Sequence, residues 1–521
     1  MPLWMSILPP LVAILMALIL KEVISSLFFG ILTGAVIMAY YGGCGPLEAL
    51  GGGLLRVADT YVAGALFDDE HVKIILFTLM IGGMVKIITV NGGMQGVVKL
   101  LSKKARGPRS GQLMTFVMDF CVFFDDYSNT LVVGNTMRPL ADKLRISREK
   151  LSYIIDSTSA PVVAVAFVTT WIGAELSYIQ DGINTLGLDM SPYTVFFRSL
   201  AYSFYPFLTL AFVLMIILSG RDFGPMLKAE RVARQAKCIA AESKQQMRPV
   251  HAIDAVIPLL VLIVGTLVGL FVTGYNPSVW SDVSRGFMDK LSATIGAADS
   301  YQALLWSSLC SLLTAIVITL FRRTLKFGKI MEASVEGFKS MFNAVVILTM
   351  AWAIALVAED MHTAAFVSHL LVKWALPPAL VPVITFLLAA LIGFSTGTSW
   401  GTMAILYPLI LPASWLLCQD QGLSVDQTLP VFYNVVASVL AGAVMGDHCS
   451  PISDTTIMSS LSTQCDHLSH VGTQMPYALT VGGVAMLLGV LPSALGLPSW
   501  MAFLCAIAVL WLLVRFVGKK V

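Results

Sequence analysis

Asp125 and Asp126 stand side by side in an otherwise apolar stretch, followed at once by Ser128, Asn129 and Thr130. Carboxylates, hydroxyls and amide oxygens are hard donors, the kind that suit a hard cation such as sodium. Two further groups have the same character: Asp156 with Ser157, Thr158 and Ser159, and Asp447 with His448, Ser450, Ser453, Asp454 and Thr455. A fourth group, Thr396, Thr398, Ser399 and Thr402, offers hydroxyls without acids. One carboxylate is enough to cap a helix start, so the pair at Asp125 and Asp126 exceeds what capping needs. Asp126, Asn129, Asp156 and Asp447 are the expected sodium ligands. A buried carboxylate that holds either a proton or a cation, but not both, would couple the two by competition.

The elements that position these residues cross a membrane. Apolar residues make up 57% of the 521, charged residues 12%, and mean hydropathy is +0.81, far from the roughly 25% charged content of soluble chains. Apolar runs such as Leu3 to Leu20, Ile24 to Tyr41, Tyr301 to Leu320 and Trp500 to Phe516 approach or exceed the ~20 residues that span the hydrocarbon layer. They lack the alternation of a β-barrel. In such surroundings an ionised aspartate implies a pathway, a partner or a binding site, and Asp119, Asp125, Asp126, Asp156, Asp447 and Asp454 are the candidates.

Most of the 33 lysines and arginines fall in Lys99 to Arg109, Arg138 to Lys150, Arg221 to Val250, Phe321 to Lys339 and the tail with Arg515, Lys519 and Lys520. By the positive-inside rule these face the cytoplasm, the C-terminus included. Residues 110–137 must then enter and leave from the cytoplasmic side, which predicts a re-entrant hairpin turning near Asp125 to Asn129. Residues 374–413 predict a second hairpin from the opposite face, turning at Ser395 to Ser399. The turns FDDYSNTLVVGNTMRP (Phe124 to Pro139) and FSTGTSWGTMAILYP (Phe394 to Pro408) share a polar opening and an apolar short helix ending near proline. A helix interruption is expected after each, at DSTSAP (Asp156 to Pro161) and GDHCSP (Gly446 to Pro451). Gly393, Gly397 and Gly401 read equally as backbone freedom at the second turn or as a packing face.

The expected fold is an all-α polytopic membrane protein with inverted-topology repeats, two re-entrant hairpins, discontinuous helices and about eleven full spans. Residues 1–220 form the first repeat, 221–250 a cytoplasmic connector helix, 251–498 the second repeat, and 499–521 a final span with a basic tail. Broken helices at membrane depth are tolerated where protein covers them or a cavity is lined, so a small ion or small organic solute is the expected cargo.

Other classes find little footing. There is no GxxxxGK[ST] loop for nucleotide coupling, no nucleophile beside a base, and no zinc spacing among His448, His467 and His470. The 8 cysteines are scattered. No enzyme activity, cofactor or nucleic-acid partner is expected; lipid is the surroundings. Glu175, Glu359 and Asp360 read as interfacial, and Lys86 as snorkelling.

The run FFDDYSNTLVVGNTMRPLADKLRISREKLSYIIDSTSAPV (Phe123 to Val162), together with GDHCSPISDTTIMSS (Gly446 to Ser460), resembles the NhaC-type sodium/proton antiporters of the ion transporter superfamily. The resemblance implies a bacterial inner-membrane antiporter of inverted-repeat build, assembled as a homodimer, with polar hairpin tips meeting at the substrate site. Ser128, Asn129 and Thr130 match the tip pattern; Thr396, Gly397, Thr398 and Ser399 depart from it. The same family also looks to include exchangers of organic substrates, such as malate for lactate.

Overall fold

The computed structural model describes residues 1–521 except 21, 103–106, 124, 236–250, 282–286, 364 and 367–375. The chain is helical almost throughout. Ten helices among the described residues are long and apolar enough to cross a membrane, or eleven with the bent pair Pro192–Tyr202 and Phe204–Ser219 taken as one. Two of the ten, Pro378–Thr396 and Ser399–Asp420, are the arms of the second reversal. The first apolar run yields the short helix Leu8–Leu20. Phe327–Asp360 carries the chain from the basic segment through a full span as a single 34-residue helix.

The first reversal consists of Pro108–Cys121 and Asp126–Lys143. Buried Glu230, on the connector helix Gly224–Gln235, shows that both arms start and finish at one end of the molecule. Its carboxylate accepts from Gln112 Nε2 in the first arm at 3.3 Å and from the Ser147 backbone N–H, just past the second arm, at 2.7 Å. Arg109 donates to the Ser219 carbonyl and Arg145 to the Arg234 carbonyl, so the basic segments gather at that same end. Arg221–Asp222 pairs antiparallel with Lys519–Lys520, which brings the tail there too. The connector is thus docked on the hairpin base as far as Gln235; its expected continuation to Val250 lies outside the described residues.

The second reversal is closed in the same way at the other end. Gln421 Nε2 donates to the Leu376 carbonyl at 2.8 Å, joining the outer ends of its arms. The turn between them is Gly397, at φ +68°, where a Cβ would stand 2.5 Å from the Ile452 carbonyl oxygen. Gly393 meets a different need: a Cβ there would lie 2.8 Å from the Ala443 carbonyl oxygen, so its bareness lets the arm touch the helix Val425–Cys449. Gly401 likewise abuts Val23. The two readings of this glycine series therefore divide by position.

Each reversal is followed by a broken helix running back through the molecule. Arg148–Val165 stops at Ala166, and the chain restarts as Ile172–Leu186. Val425–Cys449 stops at Ser450 and restarts as Asp454–Thr463. The second break falls where GDHCSP predicts it, but the first does not: the helix runs on through Pro161 and breaks at 166–171. Proline removes one N–H and crowds the preceding turn, which bends a helix without having to end it. Here every residue from Lys150 to Ala164 is buried, so packing holds the segment on both sides of the proline. The restart after residue 171 is capped by Thr169, whose hydroxyl accepts from the N–H groups of Trp171 and Ile172 at 3.1 and 3.2 Å.

Candidate functional site

The two turns meet. Asp125, Asp126, Tyr127 and Thr170 line one side of a cavity, Thr398 and Trp400 line another, and Ser340, Met341, Asn343, Ala344 and Ile347 of the long helix close it. Trp171 and Trp400 pack edge to face with ring centres 6.1 Å apart. No lysine or arginine is among these described lining residues.

The first break holds the acids of the first turn. Thr170 Oγ1 donates to Asp125 Oδ1 at 3.1 Å, and Trp171 Nε1 donates to Asp126 Oδ1 at 3.3 Å. At the second turn the polarity is reversed: Ser399 donates from its hydroxyl (2.8 Å) and its backbone N–H (3.3 Å) to Asp447 Oδ2 on the broken helix. Asp454, at the restart, donates its backbone N–H to the Gly397 carbonyl. Asp125, Asp126 and Asp447 are buried. Moving a carboxylate out of water costs several kcal/mol per ion, whereas a hydrogen bond to a charged group returns about 1.5–3 kcal/mol. Burying two adjacent like charges is costlier still, since each opposes the ionisation of the other, and a cation or a proton in the cavity relieves that repulsion.

Asp156 lies apart from the turns, midway along its helix. Its Oδ2 accepts from Thr456 Oγ1 at 2.9 Å and from Gln474 Nε2 at 2.5 Å, while His470 Nε2 stands 4.0 Å away. Its Oδ1 has no hydrogen-bond partner among the described residues. Asp447 is in electrostatic range of Asp126, Asp156 and Asp454 and so stands between the two groups. Of the four expected sodium ligands, Asp126 is the one among the described residues that line the cavity. Asn129 faces into the first hairpin, where its Nδ2 donates to the Asp119 carbonyl at 2.9 Å. Asp119 itself is fully buried, and neither of its carboxylate oxygens has a partner among the described residues.

Several candidate hydroxyls are turned to their own helix backbones. Thr130, Thr158, Thr396 and Thr402 donate to the carbonyls of Tyr127, Ile154, Ile392 and Thr398. Ser450 accepts from the Ile452 N–H, and Thr455 shares a hydrogen with Ser453. The Ser128 side chain lies outside the described residues. Glu175, expected at the interface, is buried within Ile172–Leu186, which packs against Ser399–Asp420. Lys86 pairs with Glu336 at 3.1 Å near the surface, in keeping with snorkelling.

Sequence reasoning passed over Thr170 and Trp171. The pair of threonines before a tryptophan, Thr169 to Trp171, was the available sign of an interruption, overshadowed by Pro161. Ser340 and Asn343 carried no sign, since single polar residues occur on many helices of this length.

Comparison with known proteins agrees with this architecture. The sequence profile of the Na+/H+ antiporter family matches residues 162–492. An uncharacterised protein of Haemophilus influenzae is 30% identical over 91% of this chain and 88% of its own length. The malate-2H(+)/Na(+)-lactate antiporter of Bacillus subtilis is 31% identical over 18% of each chain, and the arginine/ornithine antiporter ArcD of Halobacterium salinarum is 27% identical over 31% of this chain and 30% of its own. Among solved structures, the YdaH transporter of Alcanivorax borkumensis superposes with a TM-score of 0.55 at 16% identity, covering 87% of this chain and 90% of that one. MtrF of Neisseria gonorrhoeae gives 0.56 at 14% identity, covering 94% of both. These two likenesses concern the fold. With the profile spanning most of the chain, this multi-pass membrane protein belongs to the Na+/H+ antiporter family.

Proposed function

We propose that the chain is a secondary antiporter of NhaC type in the bacterial cytoplasmic membrane, exchanging sodium ions for protons, with its basic end and C-terminus in the cytoplasm. The observation that carries this reading is the cavity between the turns, which is lined by Asp125, Asp126, Thr170 and Thr398, with no basic side chain among the described lining residues. An acid pair with hydroxyls supplies hard oxygen ligands, and a proton that takes a carboxylate displaces the cation by competition. The cation shell in this reading comprises Asp125, Asp126, Thr170 and Thr398. Asp156, outside this shell, is the carboxylate through which the proton reaches the cation-binding acids. Assembly as a homodimer is carried over from the family resemblance.

A second reading has its own support. Met341, Ala344, Ile347 and Trp400 give the cavity an apolar and aromatic wall, which a bare ion does not need and a small organic solute does. Exchange of an organic anion or an amino acid, coupled to sodium or protons, is the alternative. The partial matches to the malate/lactate and arginine/ornithine antiporters point the same way.

Purified protein in liposomes with an internal pH dye distinguishes the two. Outside sodium alone should make the interior alkaline as protons leave. A dye response that requires malate, lactate or an amino acid would replace the first reading by the second.

A further inference from the structure

Two histidines and a serine lie outside the cavity just described, and their hydrogen-bond geometry forms a connected line. His467 opens the helix His467–Val484 and is half-buried at the end of the molecule where the basic segments gather. The preceding residues are held by Arg138, which donates to the Ser462 carbonyl, and by Arg148, which donates to the Gln464 carbonyl. From His467 inward, Nδ1 lies 3.1 Å from Ser460 Oγ, the same Oγ lies 2.9 Å from His470 Nδ1, and His470 Nε2 stands 4.0 Å from Asp156 Oδ2. Ser460, His470 and Asp156 are buried.

The neighbours fix which nitrogens carry hydrogen. Gln474 donates from Nε2 to two acceptors, Asp156 Oδ2 and the His448 carbonyl, which orients its amide. Its Oε1 therefore faces His470 Nε2 at 3.0 Å, and that nitrogen must donate. His467 Nε2 lies 2.6 Å from the Pro451 carbonyl oxygen, so it too must donate. In both neutral rings Nδ1 is then the bare nitrogen. The Ser460 hydroxyl, which also donates to the Thr456 carbonyl at 2.7 Å, sits between two bare nitrogens and by rotating about its C–O bond can give its hydrogen to either.

We propose that His467, Ser460 and His470 form the proton route between the cytoplasmic face and Asp156. This rests on the proton-coupled reading above and names the path its proton takes. A proton arriving from water makes His467 an imidazolium. Its Nδ1–H bond breaks as the proton passes to Ser460 Oγ, while the Ser460 O–H bond breaks and a new N–H forms at His470 Nδ1. His470, now cationic, releases the hydrogen on Nε2 to Asp156 Oδ2 after closing the remaining 4.0 Å. The total of protons is unchanged and no other reactant takes part. The titratable groups around His470 are Asp156 from Arg148–Val165, His448 from Val425–Cys449, and His467 from its own helix. His448 is held at both nitrogens, by Tyr205 and by the Asp156 carbonyl, and takes no part in the line. Helix Asp454–Thr463 contributes Ser460 and Thr456.

The test uses the full chain in liposomes and compares wild type with His467→Ala, His470→Gln and Ser460→Ala. Loss of a positioned proton-transfer group should lower the maximal rate of sodium-driven proton movement at least about tenfold, with the sodium concentration for half-maximal rate unchanged. Free imidazole should restore the rate in His467→Ala, where the vacated site is half-exposed, and a fold defect would not respond to it. Wild-type rates and an unshifted pH profile in all three variants would overturn the route. Absence of sodium-driven proton movement in the wild type would instead strike the functional reading on which the route rests.

Discussion

Tyr127 donates its phenolic hydroxyl to Asp454 Oδ2 at 3.4 Å, tying the tip of the first reversal to the restart of the second repeat's broken helix. This bond crosses between the repeats beside the cavity that Tyr127 itself lines. A contact between two bodies that move against each other during alternating access is made or released in each cycle.

Tyr127→Phe removes that bond and keeps the ring. A single hydrogen bond to a charged group is worth about 1.5–3 kcal/mol, so transport should slow by roughly ten- to a hundredfold if the bond holds one state of the cycle, with insertion unaffected. Initial uptake rates in liposomes, set beside thermal unfolding in detergent, measure the two effects separately.

Asp126→Asn keeps the shape of the side chain and removes its charge. Cation-dependent transport should be abolished while the protein still inserts. Asp156→Asn should abolish it as well, by removing the proton acceptor. Membrane fractionation with flux measurements checks both, and unchanged sodium dependence in both variants would remove these acids from the mechanism.

Gly397→Ala places a methyl group where φ is +68° and the Ile452 carbonyl oxygen is 2.5 Å away. The left-handed conformation alone costs about 1–2 kcal/mol for a residue with a Cβ, and the contact adds to it. The second turn should shift and transport should fall sharply. A lowered melting temperature accompanied by lost flux is the expected pair of results.

Lys150 and Asp222 form a buried ion pair at 2.5 Å, with side-chain exposures of 1% and 4%, and Tyr477 donates to the same Asp222 oxygen. Lys150→Met leaves an unpaired carboxylate and should destabilise the protein by about 3–5 kcal/mol. The double variant Lys150→Met, Asp222→Leu should recover most of that loss, since neither charge remains. Thermal unfolding of the three proteins in detergent provides the comparison.

Much of this architecture was legible from the residues alone. The asymmetric placement of lysine and arginine required both ends of residues 110–137 to lie on one face, and Glu230 shows that they do. The polar turns at Asp125 and Thr398 were visible because charged and hydroxyl side chains stand out against apolar runs. The first helix break was misplaced because Pro161 outweighed Thr169 and Thr170 as a local signal, although burial on both sides lets the helix pass the proline. The surroundings of Asp156 could not be read ahead of the fold. Thr456, His470 and Gln474 are about 300 positions away in the chain, and the packing of Asp454–Thr463 and His467–Val484 against Arg148–Val165 brings them to it.

The most direct test of the cavity as the cargo site is uptake of radioactive sodium into liposomes under an imposed pH gradient, acid inside, for wild type and Asp126→Asn. Wild type should accumulate sodium as protons leave, in proportion to the gradient and without any organic solute, and Asp126→Asn should stay at the level of empty liposomes. Equal accumulation by the two proteins would contradict the account.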